Sequence, residues 1–345
     1  MRAERVIGAR ERNRALLARQ GLLERLSLPL PRALERIGGI QAQYAPSMYI
    51  GLCSRLEGFH RDALTRGLER RTVVQATLMR NTIHLVSRAD FWPLALAVRE
   101  PRRRHWLRAV PDAPAASEMA ATARRLRAAL REGPLPRAEV ERIAGRGRVA
   151  GVGLWLDLVR VPPSGTWERR RADLFAAAED WIGRPDADAS DGMQLLVRRY
   201  LSGFGPATRR DIVSFTGLGL RELDPVLERM TLWRARGADG AELLDLPRAP
   251  RPSPDAPAPA RYLPAWDATL LVHARGTGVL PEEHRPRIFS VRNPHSFPTF
   301  LVDGAVAGTW RHERGRIRLE PFGRLTRSAR AELAAEGERL AALHA

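Results

Sequence analysis

Apolar positions in the first third of the chain repeat at helical spacing and then give way to a run that alternates. Residues 5–19 predict an amphipathic helix with Val6, Leu16 and Leu17 on its apolar side. Pro31 can open a second helix, which Ala33, Leu34 and Ile37 continue until Gly38-Gly39 ends or bends it. After Pro46 a third helix carries Met48, Ile50, Leu52 and Leu56 inward, and a short one follows over residues 61–69. In residues 71–87, Val73, Val74 and Leu78 precede the turn candidate Met79-Arg80-Asn81, and Ile83, Leu85 and Val86 follow it, which predicts a β-hairpin. Helices closed by a hairpin make a winged helix, a variant of the helix-turn-helix.

The plan recurs. Residues 91–108 predict a helix ending in the basic cluster Arg102, Arg103, Arg104, His105 and Arg108, and a Pro/Ala linker follows at 110–116. Helices are expected at 119–131, 136–144 and 149–161, with a degraded wing at 164–171. The third repetition has helices at 192–201, from Gly205-Pro206-Ala207-Thr208 onward, and at 221–230, and then a hairpin at 231–246 around Asp239-Gly240. Residues 247–264, rich in Pro and Ala, predict a solvated linker or surface excursion. Strands expected at 270–272, 300–302, 305–310 and 317–319, with a tight turn at Asp303-Gly304, precede a closing helix at 328–343. The expected class is α+β, mainly α. Three tandem winged-helix units at 1–110, 111–190 and 191–246 form a concave basic cleft, followed by the linker and a β-rich block at 265–345.

Composition sharpens the picture. A formal net charge of +18 over 345 residues is more than solubility requires and points to a polyanionic partner. Every basic residue is Arg, whose fork bonds phosphate bidentately and which also fits a GC-rich genome. With no Lys, the usual side-chain route to a covalent imine is missing, and the N-terminal amine is the formal exception. The single cysteine, Cys53, excludes an internal disulfide and a Cys-based zinc site, and the eight His show no ligand spacing, so no metal and no cofactor are expected. The charged first fourteen residues do not make a signal peptide, and no apolar run approaches the ~18 residues of a membrane span. A cytoplasmic, nucleoid-associated monomer is the expectation.

Candidate chemistry centres on Ile40-Gln41-Ala42-Gln43, where two amides stand two apart between helical runs. Gln cannot ionise, but its acceptor oxygen and two donor hydrogens can hold a water or a polar ligand; the plainer reading is polar residues at a helix end. With the downstream runs TLMRNTIHLVSRADF (77–91), LPAWDATLLVHAR (263–275) and FLVDGAVAGTWR (300–311), the chain resembles, over nearly its whole length, the winged-helix DNA glycosylase family of AlkZ and YcaQ. That bacterial group excises bulky or cross-linking alkyl adducts. The resemblance implies that the Gln-apolar-Gln motif of the AlkZ branch falls on Gln41 and Gln43, and it too implies tandem winged helices. Asn81 stands where the family's MRGT pattern has Gly, and Asn is the next most tolerant residue of positive φ.

The implied substrate is double-stranded DNA carrying N7-alkylguanine or N3-alkyladenine, whose base is already cationic and leaves without a proton. Positioning water and stabilising positive charge on the sugar then suffices, and glutamine carbonyl oxygens could do both. Asp267 could support the sugar cation or simply cap a turn. Arg80 at the hairpin tip could reach phosphate or the minor groove, with Asn81 beside it; His84, set among alternating apolar residues, reads first as structural. Further DNA-contact candidates are Arg102, Arg103, Arg104, Arg209 and Arg210, and Arg311, Arg314 and Arg316 on the hairpin of residues 305–319. Aromatics are few, and no pair is evident to sandwich a flipped-out base, so an open cleft that reads the lesion without full extrusion is expected. The rivals are a winged-helix transcription regulator, which would prefer a sequence over a lesion, and a structural nucleoid binder, which would prefer neither.

Overall fold

The computed structural model describes residues 5–111, 113–290 and 295–345, so the N-terminal amine and Asp112 of the expected 110–116 linker lie outside the described residues. The fold is α+β and about half helical. Its organising feature is a six-stranded sheet in the order Ile40–Gln41, Ile83–Ser87, Val73–Thr77, Leu158–Arg160, Leu174–Ala177, Leu135–Pro136. The expected hairpin forms the centre of this sheet, with Val74 opposite Val86 and Ala76 opposite His84. Through the pair Gln75–Arg160 the sheet runs on into residues assigned above to the second unit.

Several elements differ from the sequence pattern. Residues 149–161 are not one helix: a short helix, Val149–Val152, gives way to the strand Leu158–Arg160, because Gly151 and Gly153 weaken helical continuation and the strand finds a ladder on both sides. Residues 164–171 form the turn between the antiparallel strands Leu158–Arg160 and Leu174–Ala177, with the amide of Gly165 donating to the carbonyls of Arg169 and Arg171. Residues 270–272 are not a strand but parts of two 3-10 turns, Ala268–Leu270 and Val272–Thr277. Asp267 caps the first of them, competing locally with the extended conformation. Val6 leaves the first helix for a two-residue strand parallel to Trp233–Gly237 and is 62% exposed.

The helix Ala9–Arg19 is buried on most of its surface despite its charge. Arg10, Arg14 and Arg19 donate to the carbonyls of Pro254, Ala256 and Pro250, so the Pro-rich segment is pinned to the body and ends in the strand Arg261–Leu263. That strand opens an antiparallel sheet with Thr299–Val302, Ala305–Glu313 and Arg316–Pro321, on which the closing helix Arg327–His344 packs. Among the described residues no helix is long and apolar enough to cross a membrane.

Candidate active site

Gly38 and Gly39, at φ 80° and 78°, swing the chain out of the helix Leu30–Ile37 and into the edge strand Ile40–Gln41. A Cβ at Gly39 would sit 3.0 Å from the carbonyl oxygen of Leu85, so the close approach itself calls for glycine. The strand sets Gln41 opposite His84 and leaves it 7% exposed. At the hairpin tip Arg80 and Asn81 take φ of 52° and 59°, a left-handed pair that Asn tolerates far better than Arg. This turn folds the Arg80 side chain inward. Its Nη2 donates to Gln41 Oε1 at 2.6 Å, and its guanidinium lies 5.5 Å from the centre of the Phe215 ring. Burial pulls Arg80 down to about 10, which leaves it charged at neutral pH. A guanidinium has only donors, so the atom facing it is the Gln41 carbonyl oxygen, and the amide nitrogen is left for the other side.

Gln41 also lines a cavity of about 10 Å³, on the order of one water, bounded with it by Gln20, Arg55, Trp266 and Asp267 among others. Asp267 is 6% exposed. All the described bonds of its carboxylate fall on Oδ1, which accepts from Arg55 Nη2 at 2.8 Å, Thr269 N at 3.0 Å and Thr269 Oγ1 at 2.8 Å. Arg55 is itself held by the carbonyl of Gly51 and by Gln20 Oε1, at 3.1 and 3.2 Å. Oδ2 has no protein donor among the described residues. Arg55, Gln20 and Thr269 were not singled out from the sequence; the one available signal was a charged residue at the end of the apolar run SMYIGLCSR.

Gln43 is exposed, and its Oε1 accepts from the backbone amide of Ile83 at 2.9 Å. The two glutamines therefore serve different spaces. Gln43 lines a cavity of about 360 Å³ with Asn81, Arg102, Asp157 and Arg160, and with Phe91, Trp106 and Phe175 in its walls. Three aromatics from separate segments thus gather near Gln43, which the sparse linear distribution did not suggest, whereas the space beside Gln41 is too small for a base. In both glutamines one lone pair of the carbonyl oxygen is already taken by a protein donor, and the unengaged groups are the amide N–H donors. This differs from the expected presentation of carbonyl oxygens.

The remaining predicted residues divide. Asn81 Oδ1 accepts from Arg102 Nε, and Arg102 also donates to the carbonyl of Thr77 at 3.0 Å, so both belong to this site. His84 is buried, bonds the Thr82 carbonyl oxygen at 3.0 Å, and is held down to about 3 by burial and then by Arg80; it is a neutral ring inside the fold. Arg103 is spent on Glu100 and the Leu154 carbonyl, and Arg104 on Glu222. Arg209 pairs with Asp224 at 2.9 Å, and Arg311 with Glu320. Arg210, Arg314 and Arg316 are exposed, with no ion-pair partner among the described residues.

The chain matches the DNA glycosylase AlkZ-like family over residues 34–343 and belongs to it: it is a DNA glycosylase, a hydrolase acting on N-glycosyl bonds, rather than a transcription regulator. Among solved structures it is similar to the Streptomyces sahachiroi DNA glycosylase AlkZ, with a TM-score of 0.80 and 18% identity, covering 98% of this chain and 97% of that chain. At that identity the likeness is one of fold. No curated protein matches the chain.

Proposed function

We propose that this glycosylase is monofunctional and releases N7-alkylguanine or N3-alkyladenine from duplex DNA, bulky adducts and cross-links included, in repair or self-resistance in the bacterial cytoplasm. Three winged-helix units carry a basic cleft for the duplex, and the enzyme acts as a monomer. The observation that carries the reading is the one-water space shared by Gln41 and Asp267. A water there accepts a hydrogen bond from Gln41 Nε2 and donates one to Asp267 Oδ2. The bond from the sugar carbon to the cationic purine breaks with its electron pair going to the base, which leaves neutral. The water oxygen bonds to that carbon, and its proton passes to Asp267 Oδ2 and on to solvent. The carboxylate faces the growing positive charge, and the amide fixes the nucleophile. The absence of Lys supports hydrolysis over imine formation.

The test is a duplex with a single N7-methylguanine, incubated with enzyme and then treated with alkali to cut abasic sites. Wild type is expected to yield cleavage, Gln41→Ala and Asp267→Asn little. Undiminished cleavage by both variants would remove the water-holding role, and no cleavage by wild type would remove this choice of lesion.

A further inference from the structure

The cavity beside Gln43 is larger than the chemistry of a methylated base needs, and its charge is wrong for a cationic purine. Arg102, Arg137 and Arg160 line it, and the one lining carboxylate, Asp157, is paired with Arg99. Arg102 is committed to Asn81 and Thr77, and Arg137 to Glu141. Arg160 differs. Its Nε is buried without a partner, and among the described residues its side chain makes no hydrogen bond or ion pair; the guanidinium lies 5.2 Å from the centre of the Phe175 ring. A buried donor left unpaired is costly, which marks a place where an acceptor belongs. Apolar lining comes from Leu78, Phe91, Ala95, Trp106 and Phe175.

We propose that this cavity receives the substituent of the adducted base, and that it selects a planar, mostly apolar group ending in an acceptor or anionic oxygen that pairs with Arg160. This rests on the lesion chemistry proposed above and adds to it the part of the lesion that is recognised. The purine stays outside, at Gln43 and Gln41, because three guanidiniums repel a cation. Phe175 and Trp106 flank an aryl group, and Arg160 supplies the polar end. A backbone phosphate is the poorer occupant, since it arrives tethered on both sides and the walls here are half apolar.

The experiment measures release from duplexes bearing one N7-methylguanine, N7-benzylguanine or N7-(4-carboxybenzyl)guanine. Arg160→Met is expected to lower the ratio of carboxybenzyl to methyl release on the order of tenfold. Ala150→Trp, an exposed lining position, is expected to lower the ratio of both bulky adducts to methyl. Ratios that stay at the wild-type value in both variants overturn the proposal, as does a parallel fall for all three adducts together with weaker binding of undamaged DNA, which would mark a phosphate site. Release of none of the adducts by wild type fails the lesion chemistry itself and is thereby distinguished from failure of the cavity alone.

Discussion

Arg80 and Gln41, 39 residues apart, are joined by a charge-assisted hydrogen bond of 2.6 Å from Nη2 to Oε1. That bond holds the Gln41 carbonyl oxygen on the Arg80 side, and on the function proposed above Arg80 is expected to act by positioning Gln41. Arg80→Met is expected to lower kcat on N7-methylguanine about tenfold or more while KM changes little, and Arg80→Lys is expected to restore part of the loss. A variant that raises KM and spares kcat would return Arg80 to the phosphate-contact role.

The two glutamines face different spaces and should therefore fail differently. Gln41→Ala and Asp267→Asn are each expected to lower kcat for N7-methylguanine on the order of a hundredfold, the usual scale for a preorganised polar group at the reacting centre. Gln43→Ala, whose oxygen is bound to the Ile83 amide at the mouth of the larger cavity, is expected to fall less on the methyl lesion and more on bulky ones. Single-turnover rates on the two substrates separate these outcomes; equal losses in all three variants on both substrates would contradict the division.

Two buried histidines give the fold an acid limit. His84 is held down to about 3, and His273 lies well below its ordinary value, in both cases by burial first and by Arg80 next. Both His273 ring nitrogens lack partners, and the ring is packed among Tyr200, Phe204 and Phe215. Between these depressed values and the unfolded value near 6.5, the unfolded chain binds protons that the folded chain does not. Stability is therefore full above about pH 6.5 and falls on acidification, by up to ~1.4 kcal/mol per pH unit for each histidine. Urea midpoints at pH 7.5, 5.5 and 4.5 measure the slope, and His273→Phe is expected to flatten it; an unchanged slope counts against this origin.

Arg19 and Asp245 are both 0% exposed and meet through two parallel bonds of 2.8 Å. Arg19 also reaches the carbonyls of Leu201 and Pro250, so this pair ties the first helix to the hairpin strand Glu242–Asp245 and to the Pro-rich segment. Asp245→Asn leaves a buried guanidinium short of its counter-charge and is expected to cost roughly 3–5 kcal/mol, seen as a lower melting temperature. A loss below about 1 kcal/mol would place the pair among ordinary surface bridges.

The sequence alone determined the elements whose signals are local. The hairpin around Met79-Arg80-Asn81 and the turns at Asp239-Gly240 and Asp303-Gly304 depend on a few adjacent residues, and positive φ at Asn81, Asp303 and Gly304 follows from residue type. The pair Gln41 and Gln43 was singled out by its spacing and by the family resemblance of the runs around it. The sequence did not determine what those side chains touch. Residues 149–161 have helical periodicity, yet Leu158–Arg160 became a strand because a ladder edge was waiting on each side, a gain that propensity does not register. Arg80 reads as an exposed tip, but a left-handed turn and the Phe215 ring draw it inward. Asp267 lies far along the chain from Gln41 and Arg55 yet shares one cavity with them, and the Arg160 side chain is left unpaired beside Phe175, only because distant segments pack together. Hydrogen-bond partners and burial belong to three-dimensional neighbours, and those neighbours set which end of an amide, and which oxygen of a carboxylate, is free to act.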